Sequence, residues 1–271
     1  CDETWCKVRK YDRYKKCYMW VLVNKAERVV IFFYEDGSRG RDVLTNFLGD
    51  AELKALMSDG YNAYVFIGDE LKTHRYKDTD HQVCLAHVRA KFVKARMEGG
   101  DKRADVFLDN INRVFRFERE YDREMITDGE RTRRRQGLPT MEVMINLRAN
   151  LLQELKSEEE QKSCYMREAL NYLHKFWKEA FTYIKDGRYP ISNNLAERAV
   201  RPFTTKRKNS LHFGSDEGAE IAAVYHSIIS TVKLQGRSTW DYLGKFFTGI
   251  FNGCRDFLSL APQNIDLAVC Q

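Results

Sequence analysis

The chain has 271 residues, 43% of them hydrophobic and 13% aromatic, and its 45 lysines and arginines against 39 acids leave a formal net charge of +6. That composition excludes an intrinsically disordered chain and supports one large domain, or one domain carrying an insertion. No apolar run approaches the length of a membrane span and no signal peptide is visible; the mildly basic balance admits nucleic acid as a partner without demanding it.

Residues 1–10, CDETWCKVRK, read as the end of a strand running into a turn, with Asp2 at or near the strand's end. Residues 17–24 and 28–34 are rich in β-branched and aromatic side chains, and Lys25-Ala26-Glu27 joins them as a hairpin. A turn at 37–40 leads to a helix over 41–48 that places Val43, Leu44, Phe47 and Leu48 on one face. Residues 54–58 form a short apolar strand ending at Asp59, where Gly60 lets the chain turn sharply. A short helix over 61–67, a loop over 68–80, a strand over 82–84 and a helix over about 85–97 follow. The order β, β, β, α, β, α, β, α is that of an α/β protein with a mixed sheet flanked by helices.

From Gly99 onward the pattern is charged and helical in period, over 101–126 and 140–185. Between these stretches, Asp128-Gly129 and Gly137 to Pro139 punctuate a basic run holding Arg131, Arg133, Arg134 and Arg135. Those arginines either meet DNA phosphates or form a solvated basic loop. The whole stretch reads as an all-helical insertion.

Residues 187–209, GRYPISNNLAERAVRPFTTKRKN, hold one acid, Glu197, among Arg188, Arg198, Arg201, Lys206, Arg207 and Lys208. Gly187 and Pro190 make the start a loop. Ser192, Asn193 and Asn194 are all competent N-caps for a helix beginning near Leu195, and Pro202 is expected to end or kink it. Glu197 has two readings. It is a helix-end carboxylate, in a capping box with Asn194 and an i,i+4 pair with Arg201, or a metal ligand beside a phosphate-binding strip. A turn at 213–215 precedes a helix over 217–234 whose small residues allow close packing on the sheet. Ser238 and Asp241 cap a further helix over 239–252, and 253–271 is a tail.

Seven cysteines, an odd number without a CxxC pair, read as reduced thiols of a cytoplasmic protein. Opening on Cys1 rather than Met, the chain reads as a fragment whose N-terminal part has been removed. Cys84 and His87 have the spacing of half a zinc site, with no second pair evident. Asp2, Asp59 and Glu197 stand out by context. Two carboxylates at strand ends and a third on a helix can hold two divalent ions about 3.5–4 Å apart. Oxygen donors favour Mg²⁺ or Mn²⁺.

The blocks CDETWCKV, LMSDGYNAY, CLAHVRAKF and YPISNNLAERAVRPFTTKRKN, with the continuation FGSDEGAEIAAVYHSIISTVKLQG, resemble the catalytic region of the insertion-sequence-66 family of bacterial transposases. The resemblance runs from Asp2 to about Phe251 and is weakest in the helical insertion. It implies a ribonuclease-H-like fold and a DDE site: Asp2 as the first Asp, Asp59 as the second, and Glu197 as the Glu, holding two Mg²⁺ or Mn²⁺ ions. The implied division is 1–98 and 187–252 as the two parts of the catalytic domain, 99–186 as the insertion, and 253–271 as a C-terminal tail. Arg198, Arg201, Lys206, Arg207, Lys208 and Asn209 match the family's block around the Glu, with chemistry suited to DNA phosphates. Asn193 and Asn194 belong to the same block as supporting residues or helix caps. Cys84 and His87 are expected to support the site, contact DNA or ligate metal.

The implied activity is metal-dependent DNA cleavage and strand transfer at transposon ends. The partners are transposon-end and target DNA, with a homo-oligomer assembled on DNA, no membrane, and a cytoplasmic, nucleoid-associated location. The alternatives are a non-catalytic DNA-binding remnant and a helical scaffold with no nucleic-acid role.

Overall fold

A computed structural model describes residues 1–68, 75–157 and 162–266. The loop expected over 68–80, the insertion over 99–186 and the tail over 253–271 therefore each include residues outside the described ones. The chain divides into two compact units, Cys1–Gly49 with Asn194–Gln271, and Asp50–Asn193. No helix among the described residues is long and apolar enough to cross a membrane.

The alternation of apolar residues near the N-terminus produces three antiparallel strands, β1 (Asp2–Lys10), β2 (Arg13–Asn24) and β3 (Val29–Glu35), in that order across the sheet. Asp2 pairs with Val21, Cys6 with Cys17, and Val21 with Phe32. Asp2 therefore begins its strand; the expectation that it ended one is corrected. The boundary is set by the partner, because β2 extends far enough to pair with residues 2–10. A helix, α1 (Arg41–Leu48), covers one face of the sheet, where Phe47 stacks on Phe33 with centroids 3.8 Å apart and Phe33 stacks in turn on the fully buried Trp20.

The second unit opens with two parallel strands, β4 (Ala55–Ser58) and β5 (Asp80–Val83), in register from Ala55–Asp80 to Ser58–Val83. The described strands thus form one antiparallel and one parallel sheet, a mixed α/β composition. The helices of this unit are α2 (Leu85–Met97), α3 (Ala104–Arg123), α4 (Asp128–Arg135), α5 (Leu138–Lys156), α6 (Cys164–Lys175) and the short α7 (Trp177–Ala180). One core joins all of these but α4: Val88 and Phe92 of α2 lie with Phe107 and Ile111 of α3, Val143 and Leu147 of α5, Leu170 and Leu173 of α6, and Ala180 of α7.

The arginine-rich stretch at 131–135 forms α4, capped by Thr127, whose side chain accepts from the Glu130 amide at 3.2 Å. Of the two readings of these arginines, the helix corrects the solvated basic loop. Arg135 is 2% exposed and makes a bidentate pair with Glu118, at 2.8 and 2.7 Å, while also donating to the carbonyls of Tyr183 and Asp186. Arg131 pairs with Glu118 and Asp122, Arg133 with Glu130, and Arg134 with Glu124 and Glu130. The carboxylates that neutralise this run come from α3, from Glu124 just after it, and from α4 itself.

The chain returns to the first unit through α8 (Asn194–Ser210), α9 (Asp216–Leu234) and α10 (Thr239–Phe251). Ala196, Val200 and Phe203 of α8, and Ala219 and Ala223 of α9, bury against Cys6, Val8, Met19, Val21 and Phe32. This anchoring carries α8 on past Pro202 to Ser210, so of the two expected outcomes the stop is corrected. The proline ring costs one backbone hydrogen bond, but Val200 and Phe203 on either side of it are fixed in the core.

Small residues on α9 do more than allow close approach. The Ser227 and Thr231 hydroxyls accept from the amides of Phe32 and Val30, at 2.7 and 3.0 Å, so the outer edge of β3 is satisfied by side chains of a helix. Beyond α10 the described part of the tail folds back. Leu260 and Ile265 bury against Val232 and Tyr242, and the Tyr242 hydroxyl donates to the Leu260 carbonyl at 2.9 Å.

Candidate active site

Asp59 follows β4 directly. One carboxylate oxygen accepts from the Tyr61 amide at 2.9 Å, and the residue is half-buried. Its backbone carbonyl accepts a hydrogen bond from the Tyr172 hydroxyl of α6. Gly60 has φ +80°, and a Cβ there would lie 2.6 Å from the Tyr172 oxygen and 3.1 Å from Phe176. Backbone conformation and space both demand glycine at the position after the carboxylate. Burial first, then the neighbouring Asp59 carboxylate, push the Tyr172 hydroxyl well above its usual range, so it remains a proton donor.

Beneath Asp59, Ser58 is wholly buried, and its hydroxyl lies 3.0 Å from Nε2 of His81 on β5. Burial pushes the His81 imidazole down to about 4, which keeps it neutral near pH 7. Sequence reasoning missed Ser58, His81 and Tyr172. The parallel pairing of β4 with β5 supplies the first two, and no local pattern marks Tyr172.

Cys84 precedes α2 and is wholly buried, its sulfur accepting from the Asn193 amide at 3.2 Å; the Leu85 amide donates to the Ile191 carbonyl at 3.0 Å. The thiol thus ties residues 191–193 onto the start of α2. His87 is half-buried in the first turn of α2, and its amide donates to the Cys84 carbonyl. Asn193 is buried, and Asn194 is exposed as the first residue of α8.

Asp2 is half-buried at the start of β1, and one of its carboxylate oxygens accepts from the Glu3 amide at 2.9 Å. By strand alternation it shares the face of Cys6 and Val8, which packs on α8 and α9. Glu197 is half-buried in the first turn of α8, where the helix dipole favours a carboxylate. Asp2 and Glu197 thus belong to one unit, and Asp59 to the other.

Arg198, Arg201 and Lys208 are exposed at i, i+3 and i+10 on α8, with Lys206 and Asn209 beside them, and the four cations make no ion pair among the described residues. The spacing-based Glu197–Arg201 pair is not among their contacts. Arg207 turns inward: its guanidinium lies 3.8 Å from the Trp5 ring centroid, and Nη1 donates to the Thr4 hydroxyl at 3.0 Å and the Trp5 carbonyl at 2.7 Å.

The family model described as "Transposase IS66 family" matches residues 1–221. The chain belongs to this family. The IS66 match contains the sheet of the first unit, the whole second unit, α8 and the start of α9, and so includes Asp2, Asp59 and Glu197. Among curated relatives, an uncharacterized protein of Sinorhizobium fredii, y4jD, is 28% identical over 255 residues, covering 89% of this chain and 47% of its own length. A second from the same organism, y4qI, is 27% identical over 239 residues, covering 87% of this chain and 43% of its own. The IS66-family chain therefore spans just under half the length of these relatives.

Proposed function

We propose that this IS66-family chain is the catalytic core of a DNA transposase, cutting strands at the ends of a mobile element and joining the freed 3′-hydroxyl to target DNA. The observation that carries the reading is that the family match includes all three acids and the cation-bearing helix α8. In this reading Asp2, Asp59 and Glu197 are the DDE carboxylates, in a ribonuclease-H-like arrangement with the helical stretch 99–186 as an insertion.

The donors suit the ions such a site needs. All three residues offer only hard carboxylate oxygens, as Mg²⁺ or Mn²⁺ requires. Asp59 makes no ion pair among the described residues and spends one oxygen on a single amide. Bound there, two such ions supply charge stabilisation at phosphorus and a water acidic enough to act as a nucleophile. The chain's own residues do the rest. Arg198, Arg201, Lys206 and Lys208 hold the phosphate backbone, with Asn209 at the helix end. Tyr172 and Gly60 fix the main chain at Asp59, while Cys84 holds Asn193 just before α8 and His87 supports the same turn. The partners are transposon-end and target DNA, with a homo-oligomer forming on DNA in the bacterial cytoplasm at the nucleoid.

The test is Mn²⁺ titration followed by electron paramagnetic resonance, alongside metal-dependent nicking of supercoiled plasmid. Asp59→Asn and Glu197→Gln are expected to abolish the saturable Mn²⁺ signal and to lower nicking at least 100-fold, while DNA affinity stays within about twofold, because only charge stabilisation at the reacting phosphorus is removed. Unchanged Mn²⁺ binding in both variants defeats the metal assignment. DNA binding with neither metal site nor nicking in the parent chain identifies a non-catalytic DNA-binding protein instead.

A further inference from the structure

The first unit contains a cavity of about 230 Å³ between β1, the C-terminal half of α8, the segment 210–213 and α9. Its walls are of two kinds. Phe203 and Phe213 stack at 5.9 Å as an aromatic floor, and His226 meets Phe203 edge-on at 5.4 Å, as an upright ring beside it. Burial first, then Lys206 and Lys233, hold the His226 imidazole below its ordinary value, so this ring is uncharged near neutral pH. Around the floor stand Lys7, Lys206 and Arg207, and no acidic residue lines the cavity among the described residues.

These cations differ in kind from those of α4. Every arginine from 131 to 135 has a carboxylate partner, whereas Lys7, Lys206 and Arg207 have none among the described residues. Arg207 is also held in place: the Trp5 ring packs on its guanidinium face and Nη1 is spent on Thr4 and Trp5. Its Nε and Nη2 make no hydrogen bond among the described residues, which leaves half of a fixed donor fork for an anion. Leu211, on the cavity wall, holds φ +38°, a conformation that costs a non-glycine residue energy and that persists where the surroundings impose it.

An aromatic floor asks for a flat ring, and unneutralised cations at its rim ask for a phosphate. We propose that this cavity takes one unstacked nucleotide of a DNA single strand, its base on Phe203 and Phe213 beside His226 and its phosphate on Lys7, Lys206 and Arg207. The inference rests on the DNA-handling reading above and deepens it, because it assigns α8 a pocket for a single base in addition to a backbone-tracking face.

The probe is a short single-stranded oligonucleotide carrying 2-aminopurine, whose fluorescence rises when the base leaves the stack; fluorescence anisotropy of the same strand reports binding. In the parent chain both signals should rise, the fluorescence severalfold. Ala222→Phe fills the cavity from a half-exposed helix position. It should abolish the fluorescence rise while anisotropy still reports binding within about twofold, its thermal melt confirming the fold. Lys206→Gln, at an exposed position where folding is not at issue, should reduce the slope of log affinity against log salt by about 0.7. Binding by anisotropy with no fluorescence rise in the parent overturns the pocket alone, as does a rise that persists in Ala222→Phe. Equal displacement by inorganic phosphate or by free deoxyadenosine monophosphate at the oligonucleotide's own concentration overturns it in favour of a small-anion or free-nucleotide site. No anisotropy change with any strand removes the DNA reading itself.

Discussion

Tyr172 donates its hydroxyl proton to the backbone carbonyl of Asp59, joining helix α6 to the end of strand β4 across 113 residues of sequence. The contact fixes the main chain at a proposed metal ligand without touching its carboxylate. Tyr172→Phe should therefore cost about 1 kcal/mol of stability, the net worth of one hydrogen bond. It should lower metal-dependent nicking about tenfold with DNA affinity unchanged. Tyr172→Ala should lower both further, because Tyr172 also packs on Phe176, with ring centroids 5.0 Å apart. Urea denaturation and a plasmid-nicking time course measure the two effects separately. A Tyr172→Phe enzyme as fast as its parent would limit the tyrosine to a packing role.

His81 makes the second unit sensitive to acid. Its folded value is depressed to about 4 by burial, against about 6.5 in an unfolded chain. Between those values the unfolded state binds more protons than the folded one, so stability rises with pH. The contribution is complete above about pH 6.5 and is lost as pH falls towards 4, amounting to about 3 kcal/mol over that window. His81→Gln keeps a polar partner for Ser58 but cannot titrate. Its urea midpoint should change much less than the parent's between pH 7 and pH 4.5, and parallel pH profiles for the two proteins would contradict this account.

The Arg135–Glu118 pair is buried on both sides, at 2% and 9% side-chain exposure. Removing one partner strands the other charge out of water, which costs about 3–5 kcal/mol. Glu118→Gln should lower the denaturation midpoint sharply; Arg135→Met should lower it less, because Glu118 keeps Arg131 as a partner. Arg133→Ala, at an exposed end of the same helix, should fall within about 0.5 kcal/mol of the parent, as solvent-facing pairs do. None of the three should alter DNA affinity by more than about twofold, since these arginines already have partners. A weaker affinity in Arg133→Ala would make α4 a phosphate-binding surface after all.

The exposed cations of α8 make the opposite prediction. Arg198→Gln and Arg201→Gln together should leave the melting temperature nearly unchanged. They should also reduce the slope of log affinity against log salt for duplex DNA by about 1–2, roughly 0.9 for each phosphate that is no longer neutralised. An unaltered slope would place the DNA surface elsewhere.

Much of the local structure was legible along the chain. The β-branched and aromatic runs at 17–24 and 28–34 formed the expected hairpin, and Ser238 capped its helix as read, accepting from the Asp241 amide at 3.2 Å. The helix over 85–97 and the turn at Gly60 were equally plain, because side-chain period and glycine's conformational freedom act over a few residues. Three features lay beyond that range. Pro202 is tolerated because Val200 and Phe203 are buried against a sheet formed by the first 35 residues. The arginines of α4 changed from a basic surface to paired charges because their main partner, Glu118, stands one helix away. Asp2 begins a strand because β2 reaches back to pair with it.

By itself, then, the order of residues determined which segments curl, which extend, and which four blocks mark the chain as an IS66-family member. Only the tertiary structure decided which charges are neutralised and which stay available. An ion's worth depends on what removes it from water and what stands beside it, and those neighbours come from distant parts of the chain.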